Sequence, residues 1–224
     1  MIYIVDFGSQ VTQLIARRIR EAGVYCEIVS SQSLLSKIKI TNPSGIIFSG
    51  GPASVHKSKT PKIDQRVFSL RVPILGICYG MQLLAHQLGG KVQMSKQREF
   101  GKTMININTK SILFAGLRRK NNQLSVWMSH GDKVNKLPSH FKPLASSTNS
   151  KYVAIENKTL NFYGLQFHPE VVHTDQGEKI IQNFIFKICK VKSNWNMQNY
   201  LKNQLVEIKN QVGKYHLKKC TRKC

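Results

Sequence analysis

The chain has 224 residues, 41% of them apolar and 20% charged, which excludes a disordered protein or a collagen-like repeat and suits one globular domain with a short appendage. Its 34 Lys and Arg against 11 Asp and Glu give a net charge of +23. That charge admits nucleic acid as a partner, but the basic residues are spread along the chain and RNP aromatics, zinc-finger spacing and a basic zipper are absent, so nucleic-acid binding is the lesser expectation.

The N-terminal third alternates strands and helices. Residues 2–5 read as a short buried strand, and Val11, Leu14, Ile15, Ile19 and Ala22 fall at helical spacing, with Gly23 as a natural stop. Residues 26–29, 45–49 and 73–77 read as further strands, the last followed by a helix over 81–88 that ends at Gly89-Gly90. Strands separated by helical connections imply an α/β fold, a mostly parallel central sheet with helices on both faces. Residues 104–108, 124–128, 143–147, 152–156 and 162–167 then read as strands joined by polar turns, some extending the main sheet and some forming a smaller antiparallel layer. A helix over 177–190 closes this part. Residues 1–190 are therefore expected to form one domain. Residues 191–213 carry one more amphipathic pattern, and 214–224 form a basic tail too short to pack.

No apolar run reaches the roughly 18 residues that span a bilayer, because Gln182, Asn183 and Lys187 interrupt the best candidate. The N-terminus lacks a basic leader and a cleavage site, so a cytoplasmic protein away from membranes is expected. The five cysteines, Cys26, Cys78, Cys189, Cys220 and Cys224, are odd in number and irregular in spacing, against a disulfide framework. Cys220 and Cys224 have no second ligand pair to make a zinc site, and no metal is expected.

Cys78 stands apart. In Gly76-Ile77-Cys78-Tyr79-Gly80 an apolar strand runs into a helix with glycine two residues to each side of the cysteine, the pattern of a nucleophile elbow with Cys in place of Ser. A nucleophile on so tight a turn has strained backbone angles, and flanking side chains would collide. The turn also sets the sulfur near a helix N-terminus, which favours thiolate. A plain buried strand cysteine has the same local sequence.

A thiolate nucleophile needs a base, and the base needs a group that orients it. His168-Pro169-Glu170 supplies both: in extended backbone residues 168 and 170 share a face, and a carboxylate beside the imidazole fixes its tautomer. Alone, His168 reads as readily as a turn histidine; with the cysteine elbow it reads as the base. Ser49-Gly50-Gly51-Pro52 follows a predicted parallel strand, where the Gly51 N–H and the Tyr79 N–H could hold a tetrahedral oxyanion. A Gly-Gly-Pro turn without a ligand is the other reading.

These stretches, with Asp6-Phe7-Gly8-Ser9-Gln10, Arg98-Glu99-Phe100-Gly101, Ser129-His130-Gly131-Asp132-Lys133-Val134 and Gln166-Phe167-His168-Pro169-Glu170-Val171, resemble the class I (triad) glutamine amidotransferases in family order across residues 1 to about 190. Cys78-Tyr79-Gly80-Met81-Gln82, the Ser129-His130-Gly131-Asp132 stretch and His173-Thr174 resemble the branch that serves GMP synthetase. The resemblance implies L-glutamine as substrate, Cys78 as nucleophile, His168 as acid and base, and Glu170 as its orienter. It implies that Gln82, Ser129 and His130 hold the glutamine backbone groups and Asp132 its ammonium end. In that family an ATP pyrophosphatase domain, which carries ATP and Mg, usually follows and aminates XMP to GMP. No stretch of this chain resembles it, so the resemblance places that partner on a separate polypeptide, or the chain is a truncated, non-productive piece or a subunit of another synthase.

Overall fold

The structure, a computed structural model, describes residues 1–57, 60–108, 110–118, 120–193, 195, 196, 201, 205, 206 and 208, with backbone alone at 96 and 97. In chain order the elements are β1 (Ile2–Asp6), α1 (Thr12–Glu21), β2 (Cys26–Ser30), α2 (Leu34–Thr41), β3 (Gly45–Phe48), α3 (Arg66–Ser69), β4 (Ile74–Ile77) and α4 (Tyr79–Gln87). There follow β5 (Lys91–Ile107), β6 (Gln123–Lys136), β7 (Lys142–Ser146), β8 (Ala154–Asn157), β9 (Phe162–Leu165) and α5 (Gly177–Gln182), which continues as a π-helix over Asn183–Ile188.

Among the described residues the strands form one sheet in the order β2-β1-β3-β4-β9-β8-β7-β5-β6. The first five are mutually parallel. Strand alternation sorts their side chains onto two covered faces. Ile2 and Ile4 of β1 point into a core with Ile15, Ala16 and Ile19 of α1 and Ile180, Ile181, Phe184 and Ile185 of the last helix. Tyr3 and Val5 point the other way, against Leu34 and Ile38 of α2, Val67 and Phe68 of α3, and Met81 and Leu84 of α4. The antiparallel strands continue this sheet edge to edge: β9 pairs with β8, β8 with β7, β7 with β5 and β5 with β6. The β5–β6 ribbon breaks register between Met94 and Glu99.

Several boundaries differ from the expectation. The helix after β4 begins at Tyr79, not residue 81, because Cys78 alone separates the strand from the helix and occupies the N-cap position. β9 stops at Leu165, so His168 lies in a turn segment beyond the strand, not at its end. Of the amphipathic pattern over 191–213, residues 201, 205, 206 and 208 are described and helical; the rest from 197 on, and the whole 214–224 tail, lie outside the described residues.

The parallel order fixes where chemistry can occur. The carboxyl ends of β1, β3, β4 and β9 lie side by side, so the segments that follow them, Gly8-Ser9-Gln10, Ser49-Gly50-Gly51, Cys78 and Gln166-Phe167-His168, meet at one rim. Backbone bonds tie them together. The Cys78 N–H donates to the Leu165 carbonyl at 2.7 Å, the Gly80 N–H to the Ser49 carbonyl at 3.1 Å, and the Phe7 N–H to the Ser49 hydroxyl at 3.1 Å.

The elbow closes because its two glycines have no side chain. A Cβ on Gly80 would come within 2.4 Å of the Phe48 carbonyl oxygen, and one on Gly76 within 2.6 Å of the Gly80 backbone. Gly80→Ala therefore pushes α4 off the end of β3. We expect it to cost at least about 2 kcal/mol in denaturant unfolding, in the range of overpacked cores; a midpoint and slope equal to the unsubstituted chain's would contradict that packing.

Candidate active site

A cleft of about 560 Å³ opens at this rim. Cys78, Tyr79, Gln82, Gly51, Ser129, His130, Asp132 and His168 all line it. Glu170 does not; it is fully buried behind His168. The sequence thus named nine residues that the fold brings to one place, eight on the wall and one behind it.

Cys78 sits at φ 51° and ψ −107°, a left-handed conformation that a residue with a side chain rarely adopts. Its thiol reaches the Ser129 carbonyl at 3.6 Å. The His168 ring holds Glu170 Oε1 through Nδ1 at 2.8 Å, which leaves Nε2 for the sulfur of the neighbouring Cys78. His168 and Glu170 meet across a turn and not along an extended strand as expected. The His168 N–H donates to the Trp127 carbonyl at 3.0 Å, and the Thr174 hydroxyl donates to the His168 carbonyl at 2.6 Å. Arg18 Nε, from α1, holds the Glu170 carbonyl at 3.3 Å. The two side chains therefore converge because the loop's main chain is fixed at both ends.

Burial alone would lower the pKa of His168, but hydrogen bonds and charge attraction from Cys78 and Glu170 outweigh it and raise the value to about 10. The imidazole carries its second proton through neutral pH. Because the folded value lies above the ordinary 6.5, the stabilisation from this cluster is complete below about pH 6.5 and is lost as pH rises through about 10.

The oxyanion candidates are backbone groups. Tyr79 is the first residue of α4, so no carbonyl lies one turn behind it to accept its N–H. Gly51 packs so closely on the β1–α1 turn that a Cβ there would meet the Phe7 carbonyl at 2.7 Å.

The far wall comes from the β5–β6 ribbon. Gln82 Nε2 donates to the Asp132 carbonyl at 2.7 Å, and His130 Nδ1 faces the same oxygen at 3.1 Å. The other ring nitrogen of His130 lies 3.1 Å from Glu99 Oε2, and the Ser147 hydroxyl donates to Glu99 Oε1 at 2.9 Å. A carbonyl can only accept, so Nδ1 carries a hydrogen. Burial raises the Glu99 pKa, yet the hydrogen bonds from His130 and Ser147 hold it below the usual carboxylate range. This buried pair backs the Ser129–Asp132 stretch of β6, which lines the cleft.

Comparison with known proteins gives this site its context. The model of the glutamine amidotransferase class-I family matches residues 3–188. The chain belongs to the class I glutamine amidotransferases.

Among curated relatives of this amidotransferase, the GMP synthase [glutamine-hydrolyzing] of Acetivibrio thermocellus is 49% identical over 213 residues, 95% of this chain and 41% of that protein. The same-named protein of Aquifex aeolicus is 49% identical over 212 residues, again 41% of its length. The chain thus spans about two fifths of these relatives. A solved structure from Thermoplasma acidophilum, described as that of a GMP synthase subunit, superposes with a TM-score of 0.71 at 34% identity, covering 91% of this chain and 96% of that one. A glutamine amidotransferase of Thermotoga maritima shares the fold, with a TM-score of 0.62 at 21% identity. No helix among the described residues is long and apolar enough to cross a membrane.

Sequence reading gave no role to three groups that the structure places in contact with the site: Glu99, Gln166 and Thr174. Each lies inside a quoted motif. Their signal was a polar residue in an otherwise apolar or strand-like stretch, and it gains meaning only from partners far away in sequence.

The raised proton affinity of His168 yields a direct test. In an NMR titration of the His168 ring, Glu170→Gln should move the midpoint downward, because an amide supplies neither the charge nor the acceptor pair. An unchanged midpoint would show that Glu170 does not hold the imidazolium.

Proposed function

We propose that the amidotransferase hydrolyses L-glutamine through a Cys78-His168-Glu170 triad. The observation that carries this reading is the convergence, at one cleft, of a thiol, an imidazole and a carboxylate from separate parts of the chain, with two peptide N–H groups beside the thiol. The Cys78 sulfur attacks the side-chain amide carbon of glutamine. The resulting oxyanion lies between the Gly51 and Tyr79 N–H groups. As the tetrahedral species collapses, the C–N bond breaks and His168 delivers its proton to the departing nitrogen, which leaves as ammonia.

The charge on the sulfur contributes to the high proton affinity of His168. Acylation removes that charge, so the ring releases its proton when the leaving nitrogen needs one. The neutral ring then takes a proton from water, which attacks the thioester, frees glutamate and restores the thiol. Gln82 and the Ser129–His130 backbone hold the glutamine main-chain groups, and Asp132, half-buried on the cleft wall, faces its ammonium end.

We further propose that the ammonia serves amination of XMP to GMP by an ATP pyrophosphatase partner that carries ATP and Mg. This rests on the named activity of relatives 49% identical to the chain. Residues 191–213 would form the connection toward that partner.

Cys78→Ala should leave no detectable glutamate release, because nothing else in the cleft can form the thioester. Release at the rate of the unsubstituted chain would refute the triad. Adding a GMP synthetase ATP pyrophosphatase loaded with ATP and XMP should raise glutamate release well above that of the chain alone; equal rates would count against coupling.

A further inference from the structure

The sulfur of Cys78 has a third polar neighbour. Gln166 is fully buried, and its Nε2 lies 3.9 Å from Cys78 Sγ. Its Oε1 accepts from Gln82 Nε2 at 3.3 Å. The direction of this chain is forced. It begins at the Asp132 carbonyl, which only accepts, so Gln82 must turn its amide nitrogen that way. The same nitrogen faces Gln166, which must therefore offer its oxygen. The Gln166 nitrogen is left pointing at the sulfur: reversing Gln82 would set acceptor against acceptor at Asp132, and reversing Gln166 would set donor against donor at Gln82.

We propose that Gln166 is a catalytic residue that donates an amide N–H to the Cys78 sulfur. The proposal rests on Cys78 being the nucleophile. A donor binds a charged sulfur more strongly than a neutral thiol. The Ser129 carbonyl does the opposite, since it can receive only a thiol proton. Between them they define two states of the residue: the thiol turned to Ser129, and the thiolate held by Gln166 and His168. Gln166 is not on the cleft wall, so it acts on the sulfur and not on the substrate.

Gln166→Met keeps the side-chain length and removes the donor. The readout is alkylation of Cys78 by iodoacetamide without glutamine, followed on the Cys78 peptide by mass spectrometry, beside kcat and KM for glutamine. The variant should alkylate at least about ten-fold more slowly, the loss expected for one hydrogen bond to a charged group. It should lose a similar factor in kcat, with KM changed by less than about three-fold on the same grounds. Alkylation at the unsubstituted rate with the defect confined to KM would overturn the proposal, because Gln166 would then merely support Gln82. If the variant does not fold, NMR of the unsubstituted chain serves: the Gln166 side-chain amide proton should lie downfield of its position in Cys78→Ala, and identical positions would overturn the proposal. Failure of the parent reading looks different, since Cys78 of the unsubstituted chain would then resist alkylation and Cys78→Ala would still release glutamate.

Discussion

The site depends on one strained turn. Cys78 holds a left-handed backbone that costs a residue with a side chain on the order of 1–3 kcal/mol. The chain keeps it there because the alternatives are blocked. The Gly80 N–H is bound to Ser49, the Cys78 N–H to Leu165, and Gly76, Gly80 and the end of β3 pack without room for one more carbon. Relaxing φ at Cys78 would break both hydrogen bonds and part α4 from β3. The strain is therefore held by the sheet, and Cys78, though buried, lines the cleft at the carboxyl rim.

Around that sulfur, direction is set by groups that can play one part only. The Asp132 carbonyl accepts from both Gln82 and His130; the same Gln82 nitrogen also donates to Gln166, and the other His130 ring nitrogen faces Glu99. On the other side, Glu170 has its Oε1 on His168, and its main chain is held by Arg18. Buried polar networks of this kind are costly when half satisfied and rigid when complete. Rigidity is what an acyl-transfer site needs, since its donors must already point at the charge that develops.

Much of this is legible in the sequence, and for physical reasons. Buried parallel strands are short apolar runs, so β1 to β4 stand out between helical spacings. The elbow is legible because only glycine tolerates its crowding, and His168 and Glu170 because they are two residues apart. What stays hidden has the opposite character. α2 begins straight after Ser30-Ser31-Gln32-Ser33 and has no distinct polar face, so its period is blurred. The first half of β5 runs through Lys91, Gln93 and Arg98 with one face in solvent and a register break, so only the apolar end at Met104 to Asn108 reads as a strand. The turn at 166–170 reads as strand in the sequence because its ties, to Trp127, Thr174 and Arg18, come from distant segments. Gln166 and Glu99 are visible as letters, but their partners are not.

The most direct test of the strained-turn geometry is a crystal structure of the chain after reaction with a glutamine chloromethyl ketone. The adduct should be a single bond from Cys78 Sγ to the ligand methylene, with the ligand carbonyl oxygen turned toward the Gly51 and Tyr79 N–H groups. A bond formed at any other residue, or an oxygen facing away from both amides, would contradict it.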